Sequence, residues 1–156
     1  MITLSRQPLP TLDRTRYAAA SGVARGAYVL ADAPGGSNPQ VILIASGSEL
    51  SLVVDAHEQL VADGIRSRVV SMPSWDIFEH QTPEYRASVL PPAVKARLAV
   101  EQGSTIGWER YVGDGGRVIG MKTFGASAPL KALQEKFGFE PDRVVAAAKE
   151  LVGPMR

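Results

Sequence analysis

A three-layer α/β domain built on a mostly parallel sheet is the fold this sequence predicts. Three observations carry it. Short runs of β-branched and other apolar residues recur along the chain. Stretches with helical apolar spacing alternate with them. The length, 156 residues, suits one domain, and 45% hydrophobic content is enough to build a core.

The elements follow in order. Residues 1–16, MITLSRQPLPTLDRTR, do not read as a domain start. Pro8 and Pro10 prevent ladder pairing, so the segment reads as a linker carrying the tail of something upstream. Residues 26–32, GAYVLAD, read as a strand, and PGGSNP, 34–39, as turn material. VILIA, 41–45, is a continuous apolar run, the pattern of a strand buried on both faces. Leu50, Val53, Val54, His57, Leu60 and Val61 then recur at helical spacing. Ser46, Gly47 and Ser48 stand where a cap is wanted, and Gly64 where a left-handed terminus is. RVVSM, 68–72, is the next strand. Two short helices are expected over 74–79 and 83–89, a strand over 96–101 and a short helix over 104–111. A further strand is expected over 117–121. A helix to Phe137 should be capped by Ser127 with Pro129 in its first turn, and a last helix should run from Pro141 to about Leu151. Only a short turn separates 26–32 from 41–45, so those two strands must be antiparallel if they are neighbours.

Seventeen basic and sixteen acidic residues leave a net charge of +1. That balance is no footprint for nucleic acid or an anionic membrane. The chain has no cysteine, which removes disulfides, thiolate metal sites and a cysteine nucleophile together. No apolar run approaches the ~20 residues of a membrane helix. Met1–Pro10 lacks the apolar core of a signal peptide. A soluble, cytoplasmic protein is the expectation.

Several residues invite a chemical role. The triplet GDG at 113–115 resembles the opening of a diphosphate–metal motif. Such a motif needs a later asparagine, and the only asparagine, Asn38, lies upstream. A glycine turn before a strand explains Asp114. ASGSE, 45–49, leads a buried strand into a helix N-terminus, where backbone donors favour an anion or simply a serine cap. FGASAP, 124–129, offers the same two readings around Ser127. His57 sits on an apolar stripe, as a buried, hydrogen-bonded histidine would. His80 is expected to be exposed, and the two histidines are not at metal-ligand spacing. Trp75 and Trp108 fit either a subunit interface or the edge of the core.

More specific are whole phrases. LSRQPLPTLDRT (4–15) resembles the end of the pyrimidine-binding domain of transketolases. ARGAYVLAD (24–32), VILIASGSELSLVVDAHEQL (41–60), RVVSMPSWDIFEHQ (68–81) and YRASVLPPAVKARLAVE (85–101) are similar to the C-terminal domain of that family. So are GWERYVG (107–113), VIGMKTFGASAP (118–129) and KFGF (136–139). The blocks stand in family order and cover nearly the whole chain.

The resemblance implies a sheet of four parallel strands and one antiparallel strand. It also implies a boundary, with 1–16 as linker and 17–156 as the C-terminal domain. The parent enzyme would transfer a two-carbon ketol unit between sugar phosphates in the pentose phosphate pathway, using thiamine diphosphate and a divalent cation (Mg or Ca). No position here matches the family's catalytic glutamate, cofactor-binding histidines or metal ligands. The chain alone is therefore expected to have no catalytic, cofactor-binding or metal residue and no ketol transfer. One substrate contact is carried over: Arg6, in the LSRQ block, matches the arginine that meets the sugar phosphate. Pro8 stands where many members have asparagine. The implied partners are the remaining transketolase domains and a second subunit in a homodimer. A free-standing phosphate- or nucleotide-binding regulatory module, and a separately encoded subunit of a split transketolase, are the alternatives.

Overall fold

A computed structural model describes residues 7–35 and 38–153. Its strands are β1 (Tyr28–Asp32), β2 (Val41–Ala45), β3 (Ser67–Ser71), β4 (Arg97–Ser104) and β5 (Arg117–Met121). Its helices are α1 (Glu49–Ala62), α2 (Trp75–Glu79), α3 (Pro83–Val89), α4 (Glu109–Val112), α5 (Leu130–Phe137) and α6 (Pro141–Val152). A 3-10 turn, Ala20–Arg25, precedes β1. The strands form one sheet in the order β1-β3-β2-β4-β5, with β1 antiparallel and the other pairs parallel.

β2 is central, and each of its five residues is 0% exposed. Alternation along the strand sends Val41, Leu43 and Ala45 to one side and Ile42 and Ile44 to the other. The first set packs with Leu52, Val53, Ala56 and Leu60 of α1 and Val144, Val145 and Ala148 of α6. The second packs with Phe78 of α2, Val89 of α3, and Tyr111 and Val112 of α4. Two separate apolar clusters on one sheet make the three layers. A single apolar residue buried this way contributes about 1.5–3 kcal/mol.

β1 is not a neighbour of β2. β3 and β4 already occupy both edges of β2, so the chain after β1 passes around the start of β3. Ala33 and Gln40 donate backbone hydrogen bonds to the carbonyls of Ser67 and Arg66 there. β1 then lies antiparallel on the free edge of β3, with Asp32 opposite Arg68.

Arg68 fixes that edge. It is only 3% exposed. Its Nε and Nη2 donate to the two Asp32 carboxylate oxygens at 2.6 and 2.9 Å, and its Nη1 donates to the carbonyls of Ser88 and Val89. One guanidinium thereby ties β1, β3 and the end of α3, and its planar fork suits the paired oxygens.

The end of α1 follows the sequence pattern. Gly64 has φ +80°. Gly64 donates to Val61 and Ile65 to Leu60, a Schellman closure with Ile65 and Leu60 both buried. His57, on the inner stripe of α1, is 6% exposed, and its Nδ1 lies 2.7 Å from Ser67 Oγ in a shared hydrogen bond. Ser67 is 0% exposed, so the pair is a buried tie between α1 and β3.

Other boundaries moved. β4 continues to Ser104, and Gly107 has φ +90°, so no helix begins at 104; α4 is confined to Glu109–Val112. Gly26, at φ +81°, fits under α2: an added Cβ would come within 2.3 Å of the Phe78 backbone nitrogen.

Two outcomes are expected. Arg68→Ala leaves Asp32 and two carbonyls without their donor, and it should lower the unfolding free energy by about 3 kcal/mol in urea titration. A loss below about 1 kcal/mol would show that the tie is dispensable. The second concerns acid. Burial is the main cause that lowers the His57 pKa from 6.5, against the opposing charges of Glu58 and Asp32 and with that of Arg16. The unfolded chain therefore takes up this proton first. The contribution is whole above pH 6.5 and is lost as pH falls below it. His57→Gln should flatten the stability profile in that window.

Candidate functional site

The carboxyl ends of parallel strands are where ligands meet sheets of this type. Here that end carries the loops after β2, β3, β4 and β5. The turn after β2 is built from backbone: Glu49 donates to the Ser46 carbonyl and Leu50 to that of Gly47, which has φ +53°. The serine cap expected at 46–48 is not formed. Ser48 has helical φ and ψ, and its hydroxyl donates to Glu49 Oε1 at 2.6 Å instead of accepting from the helix.

Glu49 decides what this turn can hold. It is 5% exposed, and burial pushes its pKa above 4.5 while the Ser48 hydrogen bond opposes that rise. The pKa of half-buried Glu101, within β4, is also raised, first by burial and then by the charge of Glu49. The first turn of α1 thus already carries its own carboxylate, the group that the helix dipole favours. A second anion placed there would face two acidic side chains. That arrangement counts against the phosphate- or nucleotide-binding module.

A cleft of about 580 Å³ opens beside this turn, lined by Pro8, Leu9, Ser48, Gln102, Leu130 and Lys131 among others. The segment after residue 6 therefore runs across the carboxyl end of the sheet. Arg6, the expected phosphate contact, lies outside the described residues.

The other sequence candidates fall elsewhere. GDG, 113–115, forms the turn into β5: Gly113 has φ +67°, Gly116 donates to the Gly113 carbonyl, and Asp114 is exposed. This turn is at the amino end of the sheet, opposite the cleft. Among the described residues no three His, Cys, Asp or Glu side chains converge on a metal position. His80 is exposed, and its Nδ1 lies 2.7 Å from the Asp76 carbonyl.

Ser127 does not cap α5. Pro129 occupies the cap position and the helix begins at Leu130. The helical region is disfavoured for a residue that precedes proline, which works against a helix opening at Ala128 behind a Ser127 cap.

Trp108 is 2% exposed and meets half-buried Trp75 edge-on, with ring centroids 5.1 Å apart. Tyr111 joins them at 5.3 Å from Trp75. Trp75 lies over Gly107, where a Cβ would come within 2.7 Å of the indole. This aromatic group closes the core beside α4.

Sequence reasoning missed Glu49, Glu101 and the two internal arginines. Arg97 donates to the carbonyls of Leu90, Pro91, Val94 and Tyr111, and so holds the α3–β4 connection against α4. The available signal was a charge inside or at the end of an apolar strand run.

Glu49→Gln tests the acidic pair. Folding raises the Glu49 pKa, so the ionised form opposes folding once pH rises above 4.5. The variant should melt at a higher temperature than the parent at pH 7, with the gain fading towards pH 4. An unchanged or lower Tm at pH 7 would mean that the carboxylate is held without penalty.

The model for the transketolase-like TK C-terminal domain matches residues 26–140. Transketolase of Halalkalibacterium halodurans is 53% identical over 151 residues, covering 97% of this chain and 22% of that protein. Transketolase 1 of Escherichia coli K12 is likewise 53% identical over 151 residues, with the same shares. Among solved structures, the Pichia stipitis transketolase in complex with sedoheptulose 7-phosphate superposes with a TM-score of 0.82 at 36% identity, covering 94% of this chain and 20% of that one. The Leishmania mexicana transketolase gives 0.76 at 42% identity, covering 85% and 18%. The chain spans about a fifth of the length of these relatives. The similarity of sequence and the five-stranded sheet agree, and the chain belongs to the transketolase-like C-terminal domain family.

Proposed function

We propose that this chain serves as the C-terminal domain of a transketolase, whose complete form moves a two-carbon ketol unit between sugar phosphates. The observation that carries the reading is 53% identity across 97% of the chain to only 22% of a transketolase. Thiamine diphosphate and a divalent cation (Mg or Ca), when bound by the complete enzyme, supply the transfer chemistry. No residue of this chain is assigned to hold them. The domain's own role is structural: it supports the other domains and the homodimer. We divide the chain into a linker, 1–16, and the domain proper, 17–156. A cytoplasmic location fits the composition, and no described helix is long and apolar enough to cross a membrane.

Arg6 is the one substrate contact in this reading. A guanidinium stays charged at all relevant pH and donates in a planar fork, which suits a sugar phosphate. It would act in binding and not in bond rearrangement.

A graft tests both parts. The matching segment of E. coli transketolase 1 is replaced by this chain, and ketol transfer is assayed with thiamine diphosphate and magnesium. The graft should be active and the 156-residue chain alone inactive. Turnover by the chain alone would refute the assignment. In an active graft, Arg6→Ala should raise KM for the phosphorylated substrate about 10- to 100-fold with kcat little changed, the loss of a charged hydrogen bond made equally in both states. An unchanged KM would remove Arg6 from the site.

A further inference from the structure

A cavity of about 430 Å³ opens at the amino end of the sheet, between α2, the connection from α3 to β4, and α4. Four cations line it, Arg86, Lys95, Arg97 and Arg110, against one carboxylate, Glu79. Glu79 is already engaged by Arg86 Nη1 at 2.9 Å. Lys95, Arg97 and Arg110 have no carboxylate partner among the described residues. The chain as a whole carries only +1, so this surplus is local. Arg97 is also fixed in place: its guanidinium is held by the carbonyls of Leu90, Pro91, Val94 and Tyr111, and no anion neutralises it there. Like charges gathered in one concavity repel one another unless a counter-charge joins them.

A second, independent observation falls on the same wall. Tyr111 is 3% exposed, and its hydroxyl has no hydrogen-bond partner. Buried Arg86 Nε has none either. Among the described residues these are the buried side-chain polar atoms left unpaired, and both residues line this one cavity. Glu79 and Arg110 are neighbours of the hydroxyl, yet neither completes a bond with it. Burial first, and then Glu79, push the Tyr111 pKa up to about 12, so the hydroxyl keeps its proton at neutral pH and can donate. A buried donor without an acceptor is costly, and native structures leave few of them.

What the wall lacks is an acceptor that also carries negative charge. A phosphate group meets both needs, with a charge of about −1.5 to −2 near neutral pH and three strong acceptor oxygens. Guanidinium groups suit it because they donate in a planar fork and stay charged. From the unpaired donors and the unbalanced cations together, we infer that this cavity binds a phosphate group, either the free ion or the phosphoryl end of a small metabolite. Tyr111 and Arg86 are its buried donors, exposed Lys95 and Arg110 its outer cations, and Arg97 contributes charge. The turn at 45–49 is set against such a ligand by Glu49 and Glu101; this cavity, at the opposite end of the sheet, has the opposite sign.

NMR amide shifts of the 156-residue chain test this at pH 7, in titrations with sodium phosphate, with glycerol 3-phosphate, and with sodium chloride at matched ionic strength. The amides of Lys95, Arg97, Arg110 and Tyr111 should shift saturably with phosphate, at a Kd of about 1 mM or tighter, while those of 46–49 stay in place. Tighter binding of glycerol 3-phosphate would identify a metabolite's phosphoryl group as the ligand, and equal or weaker binding the free ion. Tyr111→Phe should weaken binding at least about fivefold without lowering the Tm of the ligand-free chain, because a hydroxyl with no partner stabilises nothing. Lys95→Ala with Arg110→Ala should weaken it at least about tenfold. Shifts that chloride reproduces, a response that does not saturate, or full affinity in Tyr111→Phe would overturn the site. So would a lower Tm in Tyr111→Phe, since the hydroxyl would then be making a structural bond.

Discussion

Burial of β2 on both faces is the constraint from which the rest of the architecture follows. A strand whose five residues all have 0% exposure needs a strand on each edge and a helical layer above and below. β3 and β4 supply the edges. α1 and α6 cover one face, and α2, α3 and α4 the other. With both edges of β2 taken, β1 has no place beside it and is carried to the outer edge of β3.

That outer edge depends on buried charge. Arg68 answers Asp32 and two carbonyls, while Arg97 gathers four carbonyls from the connections around α3 and α4. Neither arginine is placed for chemistry. Each satisfies backbone oxygens that irregular connections would otherwise leave unpaired in a low-dielectric setting, where an unmade bond costs more than a made one contributes. On the other face the buried side chains of His57 and Ser67 satisfy each other.

The two ends of the sheet have consequently different characters. The amino end is closed by the Gly113–Gly116 turn and the loop around the start of β3. The carboxyl end carries the segment from Gln7 to Pro10, the acidic pair Glu49 and Glu101, and the loops after β4 and β5. An acidic pair beside a helix N-terminus opposes capture of a phosphate there.

Much of the fold was legible in the sequence because it rests on periodicity. The apolar run 41–45 marked the central strand, the stripe from Leu50 to Val61 marked α1, and Gly64 marked its end. His57 as a buried tie and GDG as a turn were readable from their neighbours alone. Family membership was legible as well, in phrases such as PSWDIFE and FGASAP. Placement of β1 was not, because a short connection does not say which strand already fills the intervening edge. The capping roles of Ser48 and Ser127 were misjudged for local reasons: one hydroxyl turned to a buried carboxylate, and a proline fixed the start of the other helix. Sequence determined which residues must be hidden from water. Only the tertiary structure decided which charges are hidden with them, because Arg68 and Asp32, or Glu49 and Glu101, come together from elements far apart in the chain.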